Sequence, residues 1–292
     1  SLRRMASCLP LSGALMALFP KIGLAQDYPL ETSPRADYVD VEVQAPAQPS
    51  TFSFALGVAL STSPEYAGSN RRDYSLKPIG AVRYGRYKLS TSGGSSVLNF
   101  GSVSDSSGAS ADLINTEALK LKVSARIGGG RATSDSVDLT GLEDIPRTVF
   151  ARFSVSYALT DHLSANSTVS WDLLERGNGG TLSAGIGYVT RVSANTEWNL
   201  GLGITYANDT HMQGMFGVPV ASASATHEAY WAKAGLKDVG IGTGVITALN
   251  RHWIMFGNVG YSRLLGDAAD SPITRGAGAF SAGIGIGYRC CK

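Results

Sequence analysis

The chain carries four histidines, His162, His211, His227 and His252. None falls in HExxH or another spacing that would set two imidazoles on one face to hold a metal. Asp161-His162 sits where a tight turn is expected, and such residues serve turn chemistry there. Asp209, His211 and His227 share one long stretch between apolar runs, yet nothing in the spacing delivers a nucleophile to them. Gly128-Gly129-Gly130-Arg131 lacks the Lys-Ser/Thr pair and following helix of a phosphate loop, and reads as a strand end opening into a loop. The adjacent Cys290 and Cys291 fit neither a disulfide framework nor a zinc site. Two thiols at a strand end, or a strained and reducible bond between neighbours, are the readings they leave. No catalytic residue, cofactor or metal site is expected, and the chain is read as a non-enzyme.

The basic residues have more to offer, because of how they are spaced. In 119–127, Leu-Lys-Leu-Lys-Val-Ser-Ala-Arg-Ile, every odd position is apolar, and Lys120, Lys122, Ser124 and Arg126 share the other face. Arg152 falls on the corresponding face of 149–159. The same alternation turns Lys77, Arg83, Lys233 and Lys237 inward, against Asp172 and Glu197. Lys120, Lys122, Arg126 and Arg152 are the candidate lumen-facing basic residues. An open lumen with this excess favours anions. Pairing with loop carboxylates such as Glu143 and Asp144 would plug it instead, and the plugged or narrow form is the preferred expectation.

The elements that position these groups follow a period of two from Thr51 onward, the signature of strands rather than helices. Leu163, Ala165, Val169, Trp171 and Leu173 oppose Ser164, Asn166, Thr168, Ser170 and Asp172. Later strands put glycine on the second face: Phe280, Ala282, Ile284, Ile286 and Tyr288 alternate with Ser281, Gly283, Gly285 and Gly287. Mid-strand glycine costs stability and is tolerated where an inner wall must curve or leave space. Aromatics recur at strand ends, as an interfacial girdle requires. Short turns near Asp161, Ala194 and Asn250 alternate with longer stretches at 128–147, 173–180, 207–228 and 264–276, matching the short-turn, long-loop rhythm of outer-membrane barrels. The expected fold is all-β, an antiparallel transmembrane β-barrel of 12 strands, with 10 as the alternative because 85–118 breaks the pattern. A soluble sandwich or lipocalin-like barrel shares the same period.

Composition agrees. Glycine accounts for 35 of 292 residues and charged residues for only 16%, against about 25% in soluble domains. No stretch approaches the roughly 20 apolar residues of a spanning helix. With 43% hydrophobic residues and a net charge of +2, disorder is excluded as well. Arg3 and Arg4 precede a mostly apolar run to Pro20, and Gly23-Leu24-Ala25 supplies small residues. That pattern predicts a secretory signal over 1–25. Pro29, Pro34, Pro46 and Pro49 mark 26–50 as an extended periplasmic lead, ahead of a barrel over 51–292. Membrane lipid is an expected partner and nucleic acid is not.

Several stretches resemble one family. Pro64-Glu65-Tyr66-Ala67-Gly68-Ser69 with Gly57-Val58, Pro78 and Tyr84 looks like its N-terminal signature. Gly141-Leu142-Glu143-Asp144-Ile145, Met212-Gln213-Gly214-Met215-Phe216-Gly217-Val218, Ala234-Gly235-Leu236-Lys237-Asp238 and the run from Tyr261 to Ile273 are similar to its later motifs. They match the MltA-interacting protein family, MipA/OmpV, over essentially all of 52–289, with Met215 where an aromatic is usual. The resemblance implies a protein of the Gram-negative cell outer membrane. It implies a scaffold joining a lytic transglycosylase to a penicillin-binding protein in murein synthesis, with adhesion or antibiotic susceptibility as other roles. The family has no accepted catalytic residues, so none are implied here. The ending Tyr288-Arg289-Cys290-Cys291-Lys292 departs from the terminal aromatic common in outer-membrane barrels.

Overall fold

The computed structural model describes residues 52–91 and 107–290. The expected signal segment and Pro-rich lead lie outside the described residues, as does part of the irregular 85–118 stretch. Period-two patterning becomes twelve strands: β1 (Phe52–Pro64), β2 (Arg72–Tyr84), β3 (Tyr87–Ser90), β4 (Ser107–Asn115), β5 (Leu119–Gly128), β6 (Thr148–Ala158), β7 (Leu163–Asp172), β8 (Gly180–Ser193), β9 (Thr196–Ala207), β10 (Gly235–Ala248), β11 (Trp253–Leu264) and β12 (Gly278–Cys290). Each pairs antiparallel with its sequence neighbours, and β12 closes on β1 with Leu56 opposite Tyr288. The ring is a closed 12-strand barrel, so the 10-strand alternative falls. The extra hairpin is the short β3 and β4, hidden in the stretch where alternation weakens.

The two faces differ as the pattern demands. On β2, Leu76 is 72% exposed while Ile79, on the opposite face, is 3% exposed. The outward set is apolar along every long strand, for example Leu56, Val58 and Leu60 on β1 and Val239, Ile241 and Val245 on β10. Aromatics gather in two belts. Tyr84, Tyr87, Tyr157 and Trp253 lie toward the end with short turns, and Tyr74, Trp171, Tyr206 and Phe280 toward the end with long loops. In the turn-end belt Trp253 meets Tyr288 edge-on at 5.6 Å and His252 stacks on the same ring at 5.4 Å. A 13-residue strand tilted by roughly 40° stands about 33 Å along the axis, enough for an apolar band of about 25 Å.

Inside, glycine makes room for larger neighbours. The Phe256 ring of β11 lies across Gly285 of β12, and a Cβ there would collide with it; Asn258 crowds Gly283 in the same way. Phe256 packs against a buried cluster of Ala55, Ile79, Ile246 and Ile254 near the turn end. Part of the inner wall is therefore apolar, which strict alternation of polar and apolar residues does not predict. Cys290 is disulfide-bonded, so it is not a free thiol; its partner lies outside the described residues.

Among the described residues two α-helices sit in the long loops, α1 (Asp209–Phe216) after β9 and the single turn α2 (Gly266–Ala269) after β11. Among the described residues no helix is long and apolar enough to cross a membrane.

Candidate functional site

Two features stand out, a basic arc of the inner wall and a cap of interlocked loops. The arc is built by register. Arg83 of β2 lies opposite Lys88 of β3, Lys88 opposite Ser110, Ser110 opposite Ser124, and Ser124 opposite Arg152. One step along the strands, Asp112 pairs in register with Lys122. Arg126 is buried and donates from Nη1 to Ser90 Oγ at 3.1 Å. Arg152 Nε donates to Ser170 Oγ at 3.3 Å, with its guanidinium 5.9 Å from the Phe150 ring centre. Arg83 reaches Asp112 at 4.0 Å. Lys122 is half-buried on this wall and Lys120 is exposed at the turn end of β5. By register, Lys120, Lys122, Arg126 and Arg152 fall at alternating positions of β5 and β6 that share one face. Lys88 is the member that alternation missed, because β3 is only four residues long.

Four other expectations change. Lys233 is not on the wall: it lies in the loop before β10, exposed, with its backbone N–H donating to Asp267 at 2.8 Å. Lys237 is the bulged residue of β10 and pairs with its own neighbour Asp238 at 2.7 Å. Asp144 accepts from Thr133 N–H at 2.7 Å within its own loop, and this bond holds its carboxyl below the usual range. Asp172, at the end of β7, is committed to a loop. Its carboxylate accepts from the backbone N–H groups of Leu174 (3.1 Å), Arg176 (2.8 Å) and Asn178 (3.0 Å), and from the Thr148 hydroxyl. That nest ties the loop 173–179 back to the end of β7, with Glu175 at a φ of 52°.

Asn178, fully buried, extends the nest. Its Oδ1 accepts from Gly130 N–H at 2.6 Å and its Nδ2 donates to Pro146 O at 2.9 Å, tying 173–179 to the β5–β6 loop. Its carbonyl takes a bond from His211 Nδ1 at 2.8 Å, linking α1. Helix α1 starts because the Asn208 side chain accepts from His211 N–H, capping an orphan donor. Met212 and Phe216, four apart, face inward onto Ala207, Ala232, Leu264 and Ala268. A second cluster joins four different loops through Tyr66, Leu139, Leu142, Val218 and Ile273.

These loops cross the mouth. Arg275 of the β11–β12 loop meets Asp138 of the β5–β6 loop at 3.5 Å, and those two hairpins stand half a ring apart in the closed strand order. His227 Nε2 bonds Asp138 O at 2.9 Å and lies 3.4 Å from Arg275. Tyr66 donates to Ile273 O at 2.8 Å, and Arg131 donates to Met215 O at 3.0 Å. Burial, with Asp138 nearby, pushes the Tyr66 phenol up to about 12. Burial, with Lys237 second, brings His211 down to about 4.

The histidines do not assemble a catalytic group. Each ring reaches a backbone carbonyl: His162 that of Val189, His211 that of Asn178, His227 that of Asp138 and His252 that of Arg289. A carbonyl only accepts, so each ring N–H donates and the residues act as ties. Among the described residues no group of His, Cys, Asp or Glu is arranged to hold a metal.

The model of the family described as MltA-interacting protein MipA matches residues 56–290. The chain belongs to the MipA family. The family match takes in every strand of the ring except the first residues of β1, and all five described long loops of the cap. The stretches that carried the resemblance supply cap residues: Tyr66, Leu142, Met212, Phe216, Val218 and Ile273 are all buried there. No curated protein sequence matches this MipA chain. Among solved structures, Pseudomonas putida OprB is similar at 8% identity over 82% of the chain and 94% of that protein, with a TM-score of 0.41. The NanC porin is similar at 8% identity over 79% and 98%, with a TM-score of 0.39. OmpT of Vibrio cholerae is similar at 9% identity over 84% and 99%, with a TM-score of 0.37.

Proposed function

We propose that this MipA-family chain is a non-enzymatic barrel of the Gram-negative cell outer membrane, acting as a structural scaffold for peptidoglycan-remodelling and synthesis enzymes. The outward apolar band between two aromatic belts supports a membrane setting. In that setting the short turns face the periplasm and the long loops face outward. The observation that carries the reading is the Arg275–Asp138 clasp, because loops joined across the mouth serve a fixed platform better than a free-flowing pore. The family's description supports a lytic transglycosylase as the partner; a penicillin-binding protein is the second enzyme of the proposal. Such partners would meet the barrel from its turn side.

The test is a pull-down of purified lytic transglycosylase by the folded barrel in detergent. Retention that is lost when the turns at 116–118 and 159–162 are replaced supports the scaffold. A barrel that stays folded and retains no enzyme contradicts it. A second reading, a narrow pore that mildly favours anions, has the basic arc of β2 to β6 in its favour. A surface adhesin acting through the long loops is the third, tested by whether protease trimming of 207–228 on intact cells abolishes attachment.

A further inference from the structure

The inner wall is divided by chemistry as well as by curvature. From β2 to β6 it is basic, with Arg83, Lys88, Lys122, Arg126 and Arg152. From β7 to β12 it is rich in hydroxyls and glycine and carries charges of both signs, with Asp172, Arg191, Glu197 and Asp238. The two halves are joined by one row in register: Lys122 opposite Ser154, Ser154 opposite Thr168, Thr168 opposite Ser183, Ser183 opposite Thr205, and Thr205 opposite Asp238. Two adjacent pairs along it are within bonding distance, Thr168 donating to Ser154 at 3.0 Å and Ser183 with Thr205 at 3.3 Å. At its far end the row enters a cavity of about 370 Å³ that includes Asn166, Ser183, Thr205, Asp238, Ser262 and Ser281. That volume falls in the range of roughly 300–1,000 Å³ typical of small-molecule sites.

We infer that the lumen binds a hydroxylated anion, a sugar acid, with its carboxylates on the basic arc and its hydroxyls along the Ser/Thr row and in the cavity. Charge alone would fit any anion, and hydroxyls alone any polyol. Their continuity around one wall selects a ligand carrying both. Arginine and lysine engage carboxylate through charge-assisted bonds, and Ser, Thr and Asn side chains both donate to and accept from sugar hydroxyls. Lys77 and Asp73 also lie on the inward face of β2, and Glu197 with Arg191 on that of β8 and β9, so the arc's sign is set by its centre rather than its edges. The loop cap covers the opposite end, and the buried apolar cluster sits against β1, β2, β10 and β11. The exposed Lys120 marks the turn end of β5 as the approach to the arc. This site does not rest on the scaffold role, and the two can fail separately.

Calorimetric titration of the full folded barrel in detergent tests it, with a glucuronate trisaccharide as probe and maltotriose and inorganic phosphate as controls. The expected result is binding of the uronic acid at least about 10-fold tighter than either control. Lys122→Gln and Arg152→Gln should each weaken it by about 10–100-fold, the range of a bond to a charged group. Thr205→Val should weaken the trisaccharide and leave phosphate unchanged. Folding of every variant is checked by heat-modifiable mobility, and Lys122, being half-buried, gives a substitution the barrel tolerates. Equal binding of maltotriose would remove the anionic requirement, and equal binding of phosphate the sugar requirement. Absence of binding, or unchanged affinity in both charge variants, would overturn the site.

Discussion

Replacing Asn178 by Ala should loosen the cap without disturbing the barrel. The side chain is fully buried, and it holds Gly130 N–H at 2.6 Å and Pro146 O at 2.9 Å. An unsatisfied buried polar group costs about 1–3 kcal/mol. Pro146 is exposed, so water recovers most of its share, while Gly130 is half-buried and recovers less. The sum is about 2–3 kcal/mol against the closed loop, or a rise of about 30–150-fold in its opening equilibrium. Asn178 adopts no left-handed φ, so alanine fits the backbone. The assay is amide hydrogen exchange in detergent, followed at Arg131 and Ile145, which form a reciprocal backbone pair at 2.9 and 2.8 Å. Their exchange should accelerate by that factor, while amides in the middle of β10 and β11 keep their wild-type rates. Rates at 131 and 145 within twofold of wild type would show that Asn178 does not hold the loop closed, and equal acceleration throughout the barrel would show that cap and barrel are not separable.

Three further outcomes are expected. His211 in the closed cap stays neutral down to about pH 4 because of burial, whereas in an opened loop it takes up a proton near its ordinary value of 6.5. The open form therefore binds more protons between those values, and cap stability should fall by about 3 kcal/mol as pH drops from 6.5 to 4. Exchange at Met212 and Gly217, corrected for intrinsic rates, reads this out, and His211→Asn should flatten it; a flat wild-type profile would contradict it. A double-mutant cycle with Asp138→Asn and Arg275→Gln should give a coupling of about 0.5–1 kcal/mol, the value for a partly exposed pair, and zero coupling would remove the clasp. Ile241→Arg, at the middle of β10 on the outer face, should cost about 2–4 kcal/mol of folding into bilayers; a negligible cost would place that face away from lipid.

Strand residues were legible because one rule governs them. Alternation placed Lys120, Lys122, Arg126 and Arg152 on one face, and it assigned both faces of β12 although glycine replaced polar residues there. It failed where the rule stops. Lys233 lies beyond the end of β10, and Lys237 falls on a bulge that shifts the register between Leu236 and Asp238. Lys88 was missed because four residues are too few for a period to show. Asp172 was assigned correctly to the inner face, but its partners are backbone donors of the next loop, which spacing cannot reveal. The cap was the least legible part. Its clusters bring Tyr66, Leu139, Val218 and Ile273 together from four loops, and only closure of the ring makes those loops neighbours. The motif stretches of the MipA resemblance marked the same segments without giving a reason; their burial in the cap supplies it.

Loops that cross the mouth of the barrel close it to ions, and ionic current tests that directly. Twelve strands spaced about 4.8 Å apart and tilted by roughly 40° enclose a ring about 24 Å across at the backbone, wide enough to conduct if nothing covered it. Purified protein in a planar bilayer should show no stable open level, and Asn178→Ala should introduce brief openings. Steady ohmic steps in the wild type, of the size a clear ring of this diameter would pass, would contradict it.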